Sequence, residues 1–144
     1  MRVGDVTTHW RGVGAGRLHQ KLFAYSGSFA AQFLDVTVND SFQFGNKVHL
    51  PEKVLTCLQR QGGYGGRGGS WLTHSGMVFE ITNHMRMPTY CGVREFVTPE
   101  SDMMIMPDWM HKSLFLKEGI AVNVRSVAPP KLAFLRVQVR CVWE

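Results

Sequence analysis

Residues 102–127, "DMMIMPDWMHKSLFLKEGIAVNVRSV", hold a strand-like apolar run, a short amphipathic segment and a second strand-like run in direct succession. Pro107 stands where a helix can begin without losing a hydrogen bond. Met110 and Leu114 have the spacing of an inward helix face, and Gly119 is placed to end the segment. The stretch therefore predicts a strand, a proline-started helix and a second strand.

The same unit occurs earlier in the chain, around "HLPEKVLTCLQRQG" at residues 49–62. Pro51 precedes Pro107 by 56 residues, and Leu58 falls on Leu114 when the two copies are laid over each other. In this copy Val54, Leu55 and Leu58 lie on one predicted helix face, and Gly62 is placed to end it. Two copies predict a mainly β fold with a pseudo-two-fold axis. A small closed β-barrel with one short helix on each half satisfies this pattern, because closure leaves no unpaired strand edge.

The remaining strand-like pieces are "KLFAYSGSF" (21–29), "FQFGNKVHL" (42–50), "GMVFEITN" (76–83), "YCGVREFV" (90–97) and "LAFLRVQVRCVW" (132–143). The last has the clearest alternation, with Leu135, Val137, Val139 and Cys141 separated by polar residues. This period of two predicts a half-buried strand at the end of the chain.

Length and composition set the domain organisation. A chain of 144 residues with 44% hydrophobic residues suits one folded domain. Residues 1–16 contain four glycines and no periodicity, so we expect a flexible tail there and the domain at 17–144. Apolar runs are far shorter than the ~20 residues that span a bilayer, and the first residues do not resemble a signal peptide. We therefore expect a cytoplasmic protein, with the nucleus as a second compartment.

Cysteines and charge point to no special chemistry. Cys57, Cys91 and Cys141 are odd in number and form no C-x-x-C pair, so buried free thiols are expected rather than disulfides or a zinc ribbon. The net charge of +5 is spread along the chain, which indicates a mild electrostatic bias.

The glycine-rich stretch "QGGYGGRGGSW" (61–71) has three possible interpretations: a phosphate-binding loop, an RNA-binding segment or a simple connecting loop. Its glycines follow a predicted helix and precede a predicted strand, the reverse of the order in a dinucleotide-binding unit, and no Gly-Lys-Ser/Thr occurs. Tyr64 and Trp71 could stack on bases beside Arg67, but one arginine supplies little charge. A loop is the favoured interpretation, with nucleic-acid binding kept as an alternative.

Catalytic and metal sites are not predicted. Cys91 and His111 are the best candidates for a nucleophile and its base. No third residue that would orient the base can be identified, and Cys91 begins a strand rich in core residues. His74, His84 and Cys91 lack a recognised metal-ligand spacing. A barrel-scaffold enzyme of unknown reaction stays as an alternative.

Five short motifs occur in a fixed order between residues 77 and 127. They are Thr82-Asn83, Cys91-Gly92-Val93-Arg94-Glu95-Phe96, Pro107-Asp108-Trp109-Met110, Glu118-Gly119 and Val124-Arg125-Ser126-Val127. In this the chain resembles the N-terminal domain of the ubiquitin fusion degradation protein 1 family, from about Leu18 to Val139. The resemblance implies a double-psi β-barrel and a non-catalytic adaptor that needs no cofactor. Such adaptors present ubiquitylated proteins for extraction and proteasomal degradation, including degradation associated with the endoplasmic reticulum.

Full-length members of that family are longer than this chain. The resemblance places a second β-lobe after the barrel, and then a tail that contacts nuclear protein localisation protein 4 and the valosin-containing protein ATPase. The sequence ends at Glu144, where the second lobe would start, so the chain is either a first lobe or a shortened homologue. Ubiquitin binding by the lobe alone is expected to be weak, and contacts with the ATPase and its adaptor require the tail.

Three residues are candidates for partner contacts. Tyr64 and Arg67 form the tip of the glycine-rich loop, and Trp109 opens the second helix. Tryptophan often dominates interface energetics, whereas Met110, next to it, is at the inward spacing and is expected in the core.

Overall fold

The computed structural model describes residues 15–60, 78–127 and 134–138. Within these ranges the strands are β1 (Ala15–Ser26), β2 (Lys47–His49), β3 (Val78–Thr82), β4 (Pro88–Glu95), β5 (Met103–Met106) and β6 (Ile120–Val127). The helices are α1 (Gly27–Phe33), α2 (Asp40–Gln43), α3 (Glu52–Arg60) and α4 (Asp108–Ser113). In the described part of the chain, no helix has the length and apolar character needed to cross a membrane.

The strands close into one barrel in the order β1, β5, β2, β4, β3, β6, so the predicted mainly β barrel is confirmed. The two predicted units are β2–α3–β3 and β5–α4–β6. Equivalent strands of the two units pair with each other: β2 is antiparallel to β5, and β3 is antiparallel to β6. These pairings across the repeat give the barrel the pseudo-two-fold arrangement that the sequence predicts.

The core fills the barrel with aliphatic, aromatic and methionine side chains from both halves. The predicted inward residues of the two helices, Val54, Leu58, Met110 and Leu114, are all buried in it, whereas Leu55 is only half-buried. Both helices begin one residue later than predicted, because Pro51 and Pro107 precede the first helical residue. The amphipathic spacing therefore decides which side chains reach the core.

Two further helices replace parts of predicted strands. β1 ends at Ser26, whose Oγ accepts a hydrogen bond from Phe29 N at 3.2 Å and caps α1. Asn39 caps α2 in the same way, because its Oδ1 accepts from Phe42 N at 3.0 Å. The predicted strands at 21–29 and 42–50 are therefore wrong in part, since serine and asparagine satisfy the free N–H groups at a helix start.

The predicted last strand at 132–143 is wrong in its described part. Residues 134–138 have no regular secondary structure, and Leu135 and Val137 are 67% and 71% exposed. β6 pairs with β1 on one side and with β3 on the other, so barrel closure leaves no edge for another strand there. Val139 and Cys141 lie outside the described residues.

Gly119 has a different role from the predicted helix end. Helix α4 already ends at Ser113, and Gly119 has a φ of +79° in the turn before β6. Its N–H donates to Ala24 O at 2.8 Å, and a Cβ there would lie 3.0 Å from the Tyr25 hydroxyl. The glycine is required by this tight turn against β1. Gly62 lies outside the described residues.

A buried ion pair joins three strands of the barrel wall. Glu80 on β3 is 3% exposed, and its carboxylate accepts from Arg125 Nη2 on β6 and from Tyr90 Oη on β4, each at 3.0 Å. These two partners stabilise the buried carboxylate, because burial removes the water that would otherwise hydrate it.

Replacing Arg125 with methionine keeps the aliphatic part of the side chain and removes the charge that faces Glu80. We expect Arg125→Met to lower the free energy of unfolding by about 3–5 kcal/mol, since the carboxylate remains buried without its cation. Urea denaturation measures this change. The control is Arg94→Met, an arginine whose hydrogen bond is exposed, for which we expect a change within about 0.5 kcal/mol. Equal costs for the two variants would contradict a structural role for the pair.

Candidate functional site

Helices α1, α2 and α4 meet at one surface, which we call the Trp109 face. A shallow cavity of about 530 Å³ lies there, lined by Gln43, Phe44, Asp108 and Trp109. Phe44 is 87% exposed and Trp109 is 46% exposed. Two large aromatic side chains thus stand at the surface beside one polar cluster.

Asp108 holds the three helices of the Trp109 face together. Its Oδ1 accepts from Ser28 N at 2.9 Å, its Oδ2 accepts from Ser28 Oγ, and its own N–H donates to Gln43 Oε1 at 2.9 Å. Burial alone would raise the pKa of Asp108, but the hydrogen bonds from Ser28, the contact with Gln43 and the charge of His111 lower it overall. The carboxylate is therefore ionised where it meets the first turn of α1, whose free N–H groups favour an anion.

Trp109 is fixed in orientation although the residue is 46% exposed. The indole Nε1–H donates to Gly45 O at 2.9 Å, just after α2. Because this bond satisfies the polar edge of the indole, the exposed face of the ring is apolar and already oriented. A partner that packs on it loses little side-chain entropy from Trp109.

Glu118, in the segment between α4 and β6, links this segment to the end of β1. Its Oε2 accepts from Ser26 N at 2.9 Å, and its Oε1 accepts from Ser26 Oγ at 2.6 Å. The Nε2 atom of buried His111 lies 3.7 Å from Glu118 Oε2. Two carboxylates from the second half of the chain, Asp108 and Glu118, thus anchor the first turn of α1.

Of the three predicted contact residues, only Trp109 lies in the described part of the chain. Trp109 is at the surface, Met110 is fully buried as predicted, and Tyr64 and Arg67 lie outside the described residues. The sequence prediction missed Phe44, which falls in a stretch assigned to a strand. The sequence marks this surface position only by a large apolar residue directly before Gly45.

The predicted pair of Cys91 and His111 does not have the chemistry of a nucleophile and its base. Cys91 is 3% exposed, and burial raises the pKa of its thiol to about 12. His111 instead faces Glu118. An activated cysteine would need a lowered thiol pKa and access to solvent. No group of three His, Cys, Asp or Glu side chains that could hold a metal occurs within the described ranges, and His74 lies outside them.

The two described cysteines should differ in reactivity. Cys57 is half-buried and Cys91 is buried, with a thiol pKa raised to about 12. In a Cys141→Ser background at pH 8, we expect a disulfide reagent to modify Cys57 in the folded protein and Cys91 only after unfolding. Mass spectrometry of digested protein identifies the modified residue. Rapid modification of Cys91 in the folded protein would contradict its position in the core.

Removal of the Asp108 carboxylate should loosen the Trp109 face. We expect Asp108→Ala to lower the free energy of unfolding by about 1–2 kcal/mol, because α1 loses an N-terminal hydrogen-bond acceptor. The lowered pKa makes this contribution fully present above the unfolded-state pKa, near 3.8, and it is lost as the pH falls through the folded-state value.

Denaturation at a series of pH values measures this effect. The difference between wild type and Asp108→Ala should be constant near neutral pH and should shrink below about pH 4. Asp102→Ala is the control, since within the described residues no hydrogen bond reaches its carboxylate. A difference that persists unchanged at low pH would mean that the ionised carboxylate is not what holds the helices.

The barrel has the same fold as a designed double-psi β-barrel. The rationally designed apDPBB_sym_79 protein superposes with a TM-score of 0.51 at 13% identity, over 77% of this chain and 100% of that one. At this identity the likeness shows the fold alone. The protein is thus a double-psi β-barrel whose described surface carries an oriented tryptophan beside a carboxylate-bound helix start.

The amino-acid sequence matches one protein family over most of its length. Residues 19–130 match the family model "Ubiquitin fusion degradation protein UFD1, N-terminal subdomain 1". The chain is 31% identical to a ubiquitin fusion degradation protein 1 homolog of Dictyostelium discoideum over 95% of its length. It is 27% identical to the Caenorhabditis elegans homolog over 85% of its length. This chain belongs to the ubiquitin fusion degradation protein 1 family, and the match lies in that family's first N-terminal subdomain. It spans about a third of these relatives, 37% and 33% of their lengths.

Proposed function

We propose that this chain is a non-catalytic adaptor lobe that binds ubiquitin or ubiquitylated proteins in ubiquitin-dependent protein degradation. Its family membership is the observation that carries the proposal, since residues 19–130 match the first N-terminal subdomain of a ubiquitin fusion degradation protein. The proposed location is the cytoplasm, with the nucleus as a second compartment.

The Trp109 face is the contact surface that we propose for ubiquitin. Its two aromatic side chains, Phe44 and Trp109, flank a shallow cavity, and the indole is held by Gly45 O. Apolar aromatic anchors of this kind supply most of the binding energy in small interfaces. We expect weak binding by the lobe alone, because a shallow cavity with four lining residues offers less contact than an interface of about 800 Å² per partner.

Contacts with the ATPase are proposed only for a protein in which further segments follow these residues. Adaptors of this kind recruit substrates to the valosin-containing protein ATPase together with nuclear protein localisation protein 4. The chain spans about a third of its curated relatives, which supports the proposal that those contacts lie in the rest of such proteins.

The non-catalytic assignment is supported by the state of the best candidate nucleophile. Cys91 is buried with a thiol pKa of about 12, and His111 is directed to Glu118. The nucleic-acid alternative depended on Tyr64 and Arg67, which lie outside the described residues, and no observation on the described barrel favours it.

Loss of the exposed indole should weaken ubiquitin binding without loss of the fold. We expect Trp109→Ala to reduce the affinity for polyubiquitin by about tenfold or more, because the variant removes the central apolar anchor. Titration of isotope-labelled protein with mono- and polyubiquitin, followed by NMR, measures the dissociation constants. The matched control is Met85→Ala, an exposed apolar residue in the turn between β3 and β4, for which we expect no change.

Two results would contradict the proposal at different levels. No shift with polyubiquitin at millimolar ubiquitin would exclude ubiquitin binding by this lobe. Equal affinity of wild type and Trp109→Ala would leave the adaptor function standing and would exclude the Trp109 face as the contact.

A further inference from the structure

A second surface of the barrel has the features of a binding site. An open groove of about 570 Å³ lies between the irregular segment 34–39 and the residues that follow β4. A smaller groove of about 360 Å³ adjoins it and shares Val97, Thr98 and Pro99. We call the two together the His49 groove, because His49 lies in the wall of the larger one. Two adjoining open grooves suit an extended chain better than a compact small molecule, which fits an enclosed pocket.

His49 is a buried polar side chain that lines this groove. It is 7% exposed, and its ring packs edge-on against Phe42 with centroids 4.8 Å apart. No side-chain hydrogen bond of His49 occurs among the residues that the structure describes, and its ring borders the groove. Burial lowers the pKa of His49, opposed by the charge of Glu95 and aided by that of Arg94.

A neutral imidazole carries one N–H donor and one nitrogen acceptor. A ligand with main-chain amide groups can pair with both nitrogens where the ring borders the groove. The groove therefore offers polar pairing at its base, with apolar contact from Leu34, Val36 and Val97.

The charges around the groove favour a cation. Four carboxylates line its two parts, from Asp35, Glu52, Glu95 and Glu100, against two cations, from Arg94 and Lys53. The Arg94 guanidinium is already engaged, because its Nη1 donates to Ser41 Oγ at 2.9 Å. This acidic lining stands out on a chain with a net charge of +5. It attracts basic side chains and repels acidic ones.

We propose that the His49 groove binds an extended segment of a partner protein in which aliphatic residues alternate with lysine or arginine. The aliphatic side chains enter beside Phe42 and Val97, the basic ones reach Asp35 and Glu95, and the main chain pairs with the His49 imidazole. Helix α2 separates this groove from the Trp109 face, since Phe42 lines one and Phe44 the other. The two surfaces can therefore be tested independently.

Synthetic peptides provide the probe. Isotope-labelled full chain is titrated at low salt with a short capped peptide that alternates leucine and arginine, and with matched peptides in which serine or glutamate replaces arginine. We expect the leucine–arginine peptide to shift the signals of His49, Val97 and Thr98, with an affinity that falls as salt rises. The serine peptide should bind more weakly and the glutamate peptide should not bind.

Variants of the lining residues separate a built site from general charge attraction. We expect Asp35→Asn and Glu95→Gln each to weaken peptide binding several-fold, and asparagine tolerates the positive φ of +54° at position 35. Asn123→Lys changes the net charge equally from an exposed position on β6 and should weaken binding far less. His49→Phe should weaken it about tenfold by removing the hydrogen bonds.

Several outcomes would overturn the proposal. They are equal binding of the arginine and glutamate peptides, equal effects of Asp35→Asn and Asn123→Lys, or shifts confined to the Trp109 face. If His49→Phe unfolds the barrel, the two carboxylate variants alone decide the question, because both side chains lie at the rim of the groove. Trp109→Ala should leave peptide binding intact, so failure of this proposal is distinguishable from failure of the ubiquitin proposal.

Discussion

Closure of the barrel by β1 is the interaction on which the other features depend. This strand pairs in parallel with β5, where Tyr25 lies opposite Ile105, and antiparallel with β6, where Leu22 lies opposite Val122. Its end therefore lies between the two strands that flank α4. Ser26 and Ser28 come within hydrogen-bonding distance of Glu118 and Asp108 as a direct result. The orientation of the Trp109 face follows from this closure.

The repeat builds the fold, whereas departures from the repeat build the surfaces. The two strand–helix–strand units supply most of the core and pair across the pseudo-two-fold axis. Residues 27–46 lie outside those units and form α1, the segment 34–39 and α2. The Trp109 face forms where this connection meets α4, and the His49 groove forms where it meets β2 and the residues around the end of β4. Changes in this connection can therefore alter both surfaces without changing the repeated units of the barrel.

The parts of the fold that could be predicted from the sequence are those in which the local pattern and the tertiary packing agree. The two proline-started helices, their buried faces at Val54 and Met110, and the closed barrel could be predicted because apolar spacing dictates which side chains leave water. Helix α1 was missed because alternation in β1 continues into it, and only the cap at Ser26 marks the change. The alternation around Leu135 and Val137 predicted a strand that is absent from the described residues 134–138. An alternating pattern cannot show whether a sheet has a free edge for another strand.

The candidate surfaces were harder to predict than the fold. Trp109 could be named from its residue type, but its usefulness depends on a bond to Gly45 O that joins positions 64 residues apart. Phe44 and His49 look like members of one strand in sequence. The first is exposed and the second is buried beside a groove because α2 interrupts that strand.

The most direct measurement is an NMR map of where polyubiquitin contacts the folded barrel. The proposed function predicts the largest shifts at the indole N–H of Trp109 and at the main-chain amides of residues 43–45, with the paired amides of β1 and β6 unchanged. An indole signal that stays in place while another part of the barrel shifts would contradict the account of this surface. A spectrum that does not change at all would contradict ubiquitin binding by the lobe.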